Sequence, residues 1–365
     1  VQLADAYRGD ALYTEAFGVS ELAEAGPHTP VLRPFFRPGR PWRPPPRHNC
    51  YKWQSSLCAQ AAVHTGRFPL APNVNDSQHV TSHPQAVNHA PHPVDEILSI
   101  SIVTYHPDDA LLARTFSSLR AACARLQAVR GVSAIGVCVV DNGGLPDLAA
   151  DRAAFEQAGI RYGVLSGHGN VGYGRGHNLA IEAARSRYHL ILNPDIDLEP
   201  DALVQALDFL DTHPEAGLLT PRIGDDSDRI QYLCRRYPAL VDLLVRGFLP
   251  SPLRQPFERR LASYEMRDRI NETDVVWDPP IVSGCFMLFR TDVLARLQGF
   301  DPRYFLYFED YDLSLRTGQC ARTVYVPLAR VIHHGGGASR KGFAHIRMFA
   351  ASAFKFYNRF GWRLW

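Results

Sequence analysis

The sequence predicts an α/β fold, a mostly parallel sheet with helices on both faces, and three observations carry that expectation. From Ile97 onward, short apolar runs alternate with amphipathic stretches of helical period. The runs are apolar nearly throughout, as in strands covered on both sides. Polar residues collect at the carboxyl ends of these runs, which is where open α/β sheets bind ligands.

Taken in order, ILSISIVTY (97–105) reads as a strand, DALLARTFSSLRAACARLQAV (109–129) as a helix and SAIGVCVVDN (133–142) as a second strand. LAADRAAFEQAG then reads as a helix, IRYGVLSG as a strand, GRGHNLAIEAARSR as a helix and YHLILNPDI (188–196) as the fourth strand. LEPDALVQALDFLDTH follows as a helix with Pro200 in its first turn. Beyond it AGLLTPRI reads as a strand, PALVDLLVRGFL as a helix, and 249–275 as a charged, mobile connection. IVSGCFMLFR (281–290) is a further strand, and TDVLARLQG a helix capped by Thr291 and stopped by Gly299. FEDYDLSLR opens another helix, RTVYVPLARVIHH is extended, and 346–365 is a basic amphipathic helix.

Residues 1–95 differ from the rest: they hold 13 of the 27 prolines and 7 of the 15 histidines. Proline at that density blocks regular helices and central strands, so an irregular arm is expected, its histidines too scattered for a metal tract. The seven cysteines form no CxxC pair, which argues against a disulfide framework or a zinc site and fits a reducing cytoplasm. No run is long and apolar enough for a transmembrane helix, and Val1 does not begin a signal peptide; a start without Met fits a fragment or processed chain. The net charge of +2 conceals a tail from Ser339 onward with six Arg or Lys and no acid. Such a tail, with Phe354, Phe356, Tyr357, Phe360, Trp362 and Trp365, reads as a peripheral membrane contact or as a solvated helix face.

Four motifs bear chemistry. Asp195 and Asp197 stand one residue apart behind the fourth strand, on one side of an extended segment. Two like charges held together favour a cation between them, and a metal carrying a diphosphate suits that spacing, although surface acids follow the same pattern. The segment GNVGYGRGHNLAI places Gly169, Gly172, Gly174 and Gly176 before a helix, either to cradle an anion or to make a tight turn. Glu309, Asp310 and Asp312 fall in the first turn of a helix among Tyr304, Phe305, Tyr307 and Phe308. The helix dipole favours acids there, and aromatic crowding would raise a carboxyl pKa toward that of a general base. His333 and His334 precede three glycines; an imidazole there is a packed residue or a metal ligand.

The ordered set SIVTYHPD, VVDNGG, GNVGYGRGHNLAI, LILNPDIDLEPDAL, VSGCFMLFRTDVLARLQGFDPRYFLYFEDYDLSLR and VIHHGGGAS resembles the family 2 glycosyltransferases, close to the bacterial rhamnosyltransferase branch, over about residues 96–345. The resemblance implies a GT-A type, Rossmann-like fold, with a nucleotide-binding half near 96–200 and an acceptor-binding half near 201–345. It implies an inverting hexosyl transfer from a dTDP- or UDP-linked sugar, with Mg2+ or Mn2+, to a saccharide acceptor on a lipid carrier in cell-surface polysaccharide synthesis. On that basis Thr104, Tyr105, Asp141, Asn170, Gly172, Gly174, Gly176, Asn178 and Asp195 bind the donor. Asp195, Asp197 and His333 hold the metal, Asp310 is the base beside Glu309, and Gly284, Asp301 and Tyr307 shape the acceptor side. His333 is preferred over His334 by its spacing after Pro327. Rhamnose is the expected sugar; N-acetylglucosamine, galactose or galactofuranose is the alternative. A haloacid dehalogenase-like phosphatase would place its Asp pair behind the first strand, not the fourth. A silent sugar-nucleotide-binding module would not need both DID and Glu309-Asp310.

Overall fold

The computed structural model describes residues 96–132, 134–335 and 343–365. The expected N-terminal arm, Gly336, Gly337, Arg340 and Lys341 lie outside the described residues.

The first half alternates as its sequence predicts: β1 (Glu96–Thr104), α1 (Asp109–Arg130), β2 (Ile135–Asp141), α2 (Ala149–Gln157), β3 (Arg161–Leu165), α3 (Tyr173–Ala183) and β4 (Ser186–Leu192). Asp108 caps α1 by accepting from the Leu111 N–H at 3.0 Å, and Gly131 ends it in the left-handed region. There follow β5 (Ile196–Leu198), α4 (Ala202–Thr212), β6 (Ala216–Gly224), α5 (Leu240–Phe248), α6 (Glu258–Tyr264), β7 (Val276–Trp277) and β8 (Phe286–Arg290). The order closes with α7 (Thr291–Arg296), α8 (Glu309–Cys320), β9 (Arg322–His333) and α9 (Phe343–Phe360).

One nine-stranded sheet runs in the order β3-β2-β1-β4-β8-β6-β9-β5, with β7 also on β9. β1 to β4 pair in parallel, as do β6 and β9; β5, β7 and β8 run against their neighbours. The sheet is therefore parallel where βα units alternate and mixed beyond β4.

Side-chain alternation divides the core. Leu98, Ile100 and Ile102 pack with Leu112, Phe116 and Leu119 of α1 and with Leu203 and Leu207 of α4. Burying each such side chain contributes roughly 1.5–3 kcal/mol, which fixes the register of the strand. The intervening Ser99 and Ser101 face the other layer, where they meet buried histidines: Ser99 bonds His189 at 2.7 Å, and Ser101 bonds His189 at 2.9 Å and His177 at 2.8 Å. Two serines inside an apolar strand are thus satisfied rather than misplaced.

Several expected boundaries change. The run 188–196 is interrupted at Asn193, so β5 leaves β4 and crosses to β9. Only Phe286–Arg290 of 281–290 is strand, and Thr291 is the first residue of α7 rather than its cap. Pro200 precedes α4, with Asp201 at the cap position. The connection 249–275 is ordered: a 3-10 turn over Ser251–Phe257 leads into α6. Arg267 pairs there with Glu258 and Glu265, and Arg236 pairs with Asp268, so the charges that read as a mobile connection bind one another.

Candidate active site

The carboxyl ends of β1, β2 and β4 lie side by side at one edge of the sheet, the edge beyond which open α/β sheets form their ligand crevice. Thr104 is buried at the end of β1, its hydroxyl donating to the Val140 carbonyl at 3.4 Å, while Tyr105 beyond it is exposed. An exposed ring at this edge is able to stack on a base. At the end of β2 the Asp141 carboxylate accepts from the Gly143 N–H at 2.8 Å and shapes the turn. Asn142, which sequence reasoning placed at the strand end without a role, is buried; its amide donates to the Gly172 carbonyl at 3.1 Å and its oxygen meets His168 at 3.1 Å. It ties β2 to the glycine segment.

That segment works differently from the expectation. Asn170 accepts from the Gly172 N–H at 3.0 Å, and Gly172, at φ +87°, turns the chain into α3 against the Phe305 carbonyl, which a Cβ would overlap. Gly174 and Gly176 do not face the crevice. A Cβ at Gly174 would lie 2.9 Å from Phe300, and one at Gly176 3.0 Å from Val103. They are glycines because α3 packs closely on the sheet and on the 300 loop. Asn178 likewise gives both ends of its amide to one residue, donating to the Phe300 carbonyl at 2.8 Å and accepting from its N–H at 2.9 Å. These three, expected to bind the donor, are engaged in close packing and hydrogen bonds within the protein.

Asp195 and His333 meet across the β5–β9 pairing, with His333 Nε2 3.5 Å from Asp195 Oδ2. Gln231, which sequence reasoning missed, brackets His333. Its amide donates to the His333 carbonyl at 2.8 Å, and its oxygen lies 3.1 Å from His333 Nδ1. With Nδ1 turned to Gln231, Nε2 is the ring atom left facing Asp195, and a histidine oriented this way is placed for a metal. The other Asp195 oxygen is buried without a partner. Burial opposes its ionisation, but the His333 ring and the Asn193 side chain hold the carboxyl below its usual range. A Cβ at Gly335 would overlap both Asp195 and His333, so the chain leaves room beside them.

Asp197 is engaged elsewhere. Its Oδ2 accepts from Arg114 at 2.7 Å and lies 2.9 Å from His334 Nε2, at ion-pair distance but without the direction of a hydrogen bond. His334 Nδ1 contacts Asp226. The two aspartates therefore do not converge on one point, and among the described residues no three His, Cys, Asp or Glu side chains are grouped to hold a metal ion. Asp195 and His333 alone fit a divalent ion whose other ligands are phosphate oxygens and water.

Glu309 and Asp310 open α8 after two residues in the left-handed region, Tyr307 (φ 70°) and Phe308 (φ 66°). Consecutive positive φ at non-glycine residues is strained, and it sets the first turn of α8 against Gly284. Asp310 accepts from the Gly284 N–H at 3.0 Å, and the Gly284 carbonyl accepts from the Tyr173 hydroxyl at 2.7 Å. Gly284 is thus pinned between α3 and α8, and Tyr173 feels the charges of Glu309, Asp310 and Asp195 together. Burial raises the Asp310 pKa, although backbone N–H groups pull against it. Burial, with the Asp310 charge behind it, pushes Glu309 up to about 8. Glu309 is closed off with one oxygen unpartnered, while Asp310 keeps part of its surface open.

Two expected acceptor residues have other partners. Asp301 pairs with Arg303 and Arg359, both at 2.6 Å, and despite burial these hold its carboxyl down to about 2. Tyr307 bonds His345 at 2.9 Å and packs against Phe349, both on α9.

The model of the family described as "Glycosyl transferase family 2" matches residues 99–297. The chain is 31% identical over 258 residues to an N-acetylglucosaminyl-diphospho-decaprenol L-rhamnosyltransferase of Mycobacterium tuberculosis, covering 66% of this chain and 76% of that one. It is 29% identical to the rhamnosyltransferase WbbL of Escherichia coli over 55% of this chain and 75% of that one. Among solved structures, S. aureus TarS 1-349 superposes with a TM-score of 0.43 at 14% identity over 72% of each chain. With the matched span containing the Asp195 segment, Gly284 and the glycine loop, the chain belongs to glycosyl transferase family 2 and is a glycosyltransferase.

Proposed function

We propose that this glycosyltransferase moves a rhamnosyl group, with inversion, from a dTDP- or UDP-linked donor to a saccharide on a lipid diphosphate carrier, in cell-surface polysaccharide synthesis. The half near 96–200 carries the donor and the half near 201–345 the acceptor. The observation that carries the reading is the Glu309-Asp310 turn: a carboxyl of raised pKa, part open, fixed by the Gly284 N–H, whose charge reaches Tyr173 together with that of Asp195. The rhamnosyl and lipid-linked specifics rest on the likeness to the mycobacterial and Escherichia coli proteins.

In this reading Tyr105 and Asp141 bracket the nucleoside, and Asn170 and Gly172 set the loop beside it. Asp195 and His333 would hold a divalent ion, Mg2+ or Mn2+, whose charge would stabilise the departing diphosphate. Asp310 removes the proton from the acceptor hydroxyl as its oxygen attacks the anomeric carbon and the bond to the diphosphate oxygen breaks. One displacement inverts the centre. Glu309, closed and protonated near neutrality, leaves the local charge to Asp310.

A screen of thymidine- and uridine-linked sugars with and without Mn2+, read as mass gain on a lipid-linked acceptor, tests the reaction; no gain with any donor would refute it. Asp310→Asn is expected to lower turnover roughly 10²–10⁴-fold with donor affinity retained. Near-normal turnover of that variant would move the base elsewhere.

A further inference from the structure

No helix among the described residues is long and apolar enough to cross a membrane, yet one face of the molecule is built as if to meet one. The C-terminal segment does not lie free. Phe356 and Tyr357 are buried among Tyr304, Phe308 and Leu243, and Phe360 packs half-buried beside them, so three of the six aromatic residues that read as a membrane-facing helix belong to the core or its edge. The residues left outside form a different surface. The chain after α9 runs along the start of α5, where the Leu240 N–H donates to the Arg363 carbonyl at 2.8 Å and the Val241 N–H to the Leu364 carbonyl at 3.3 Å. The Arg260 guanidinium of α6 stands 4.6 Å from the Trp365 ring, and Phe354 meets Trp362 edge to face at 5.8 Å.

These contacts bring the exposed Phe354, Trp362, Leu364 and Trp365 beside the starts of α5 and α6, and the neighbouring elements carry the exposed Leu244 of α5 and Leu253 of the 3-10 turn, 60% exposed. From Phe343 to Trp365 there is no Asp or Glu. Arg359 is neutralised by Asp301 and Asp312, and Arg363 donates to the Trp365 main-chain oxygen at 3.4 Å, but Arg259 and Arg347 have no carboxylate partner among the described residues. Exposed indoles and leucines on elements that also carry Arg259, Arg347 and Arg363, with no carboxylate side chain from Phe343 to Trp365, match the interface of an anionic bilayer, apolar below and negative above. The opposite face of α9 packs on Tyr307 and Phe308, the strained pair that sets Glu309 and Asp310.

We infer that the face formed by α5, the 3-10 turn and the C-terminal aromatics docks the enzyme on an anionic lipid surface. The docked protein then meets a membrane-held acceptor next to the crevice of Asp310; only that last step rests on the proposed function.

The test uses the full chain, sedimented with phosphatidylglycerol-containing vesicles and with pure phosphatidylcholine vesicles. The wild type is expected to sediment with the anionic vesicles and to be released by high salt. The double variant L253D/W365A, which touches no crevice residue, is expected to bind about tenfold or more weakly. Its unchanged thermal midpoint would show that it folds. It should keep transfer to a water-soluble acceptor and lose transfer to an acceptor embedded in vesicles. A wild type that stays in the supernatant, or a double variant that binds as well as the wild type, would overturn the inference. So would a dimer that ignores vesicles and is broken by the double variant, because the face would then join two copies. Sedimentation does not depend on catalysis, so a protein that binds vesicles but transfers no sugar supports this face and refutes the reaction.

Discussion

Glu309 carries the sharpest residue-scale consequence of the fold. Its folded pKa of about 8 lies above the ordinary 4.5, because burial and the neighbouring Asp310 disfavour its charge. A raised carboxyl keeps its proton in the folded state while the unfolded chain releases it. Stability is therefore full below about 4.5 and falls as pH rises, until Glu309 itself ionises near 8. Glu309→Gln removes that dependence. The difference in urea midpoint between variant and wild type is expected to move in favour of the variant from about pH 5 to about pH 9, by at most a few kcal/mol. A difference that stays flat across that range would mean the buried carboxyl does not titrate as its surroundings require. At this scale the sequence was informative about acids and blind to their partners. FEDYDLSLR announced a crowded acidic turn, but nothing near DID in the chain announced that Arg114, 83 positions earlier, would take Asp197. Gln231 was equally unreadable, since it reaches His333 only through the pairing of β6 with β9.

At the scale of elements, α3 shows why a glycine-rich segment was easy to see and hard to assign. Glycine is required both where a backbone approaches a ligand and where it approaches another backbone. Sequence alone does not distinguish the two. Phe300 and Val103, which decide for packing at Gly174 and Gly176, are respectively far downstream and upstream in the chain. The βα alternation was legible for the opposite reason: strand and helix periods are local, and β1 to β4 follow them within a few residues. Past β4 the sheet turns mixed, and the short β5 and β7 exist only because β9 offers them an edge. Asn178→Ala tests the reassignment. It removes two hydrogen bonds to the Phe300 backbone and is expected to cost roughly 1–3 kcal/mol of stability. Donor affinity, followed by titration calorimetry with the nucleotide sugar, should hardly change. A large loss of affinity without a loss of stability would return Asn178 to the donor site.

Across the whole molecule, α9 joins the last residues of the chain to the first turn of α8. Phe356 sits against Phe308 at 5.2 Å between ring centres, and Arg359 reaches Asp301 and the fully buried Asp312. Asp312 is raised by burial, while Arg316 and Arg359 pull its pKa back down. Left-handed Tyr307 and Phe308 are costly by about 1–3 kcal/mol each, so they persist only where surrounding contacts over-determine them. The contacts that do so come largely from α9: His345 on Tyr307, and Phe349 and Phe356 on Phe308. The segment that looked like an appended tail is therefore a support for the Glu309-Asp310 turn. Phe356→Ala is expected to destabilise the protein by roughly 3–5 kcal/mol, as for a buried Phe elsewhere. If α9 holds the strained pair, the variant should also lose turnover at a temperature where it remains folded, with donor affinity intact, because Asp310 shifts while the β1–β4 edge does not. Turnover equal to wild type in the folded variant would separate α9 from the Glu309-Asp310 turn and leave it a packing element only.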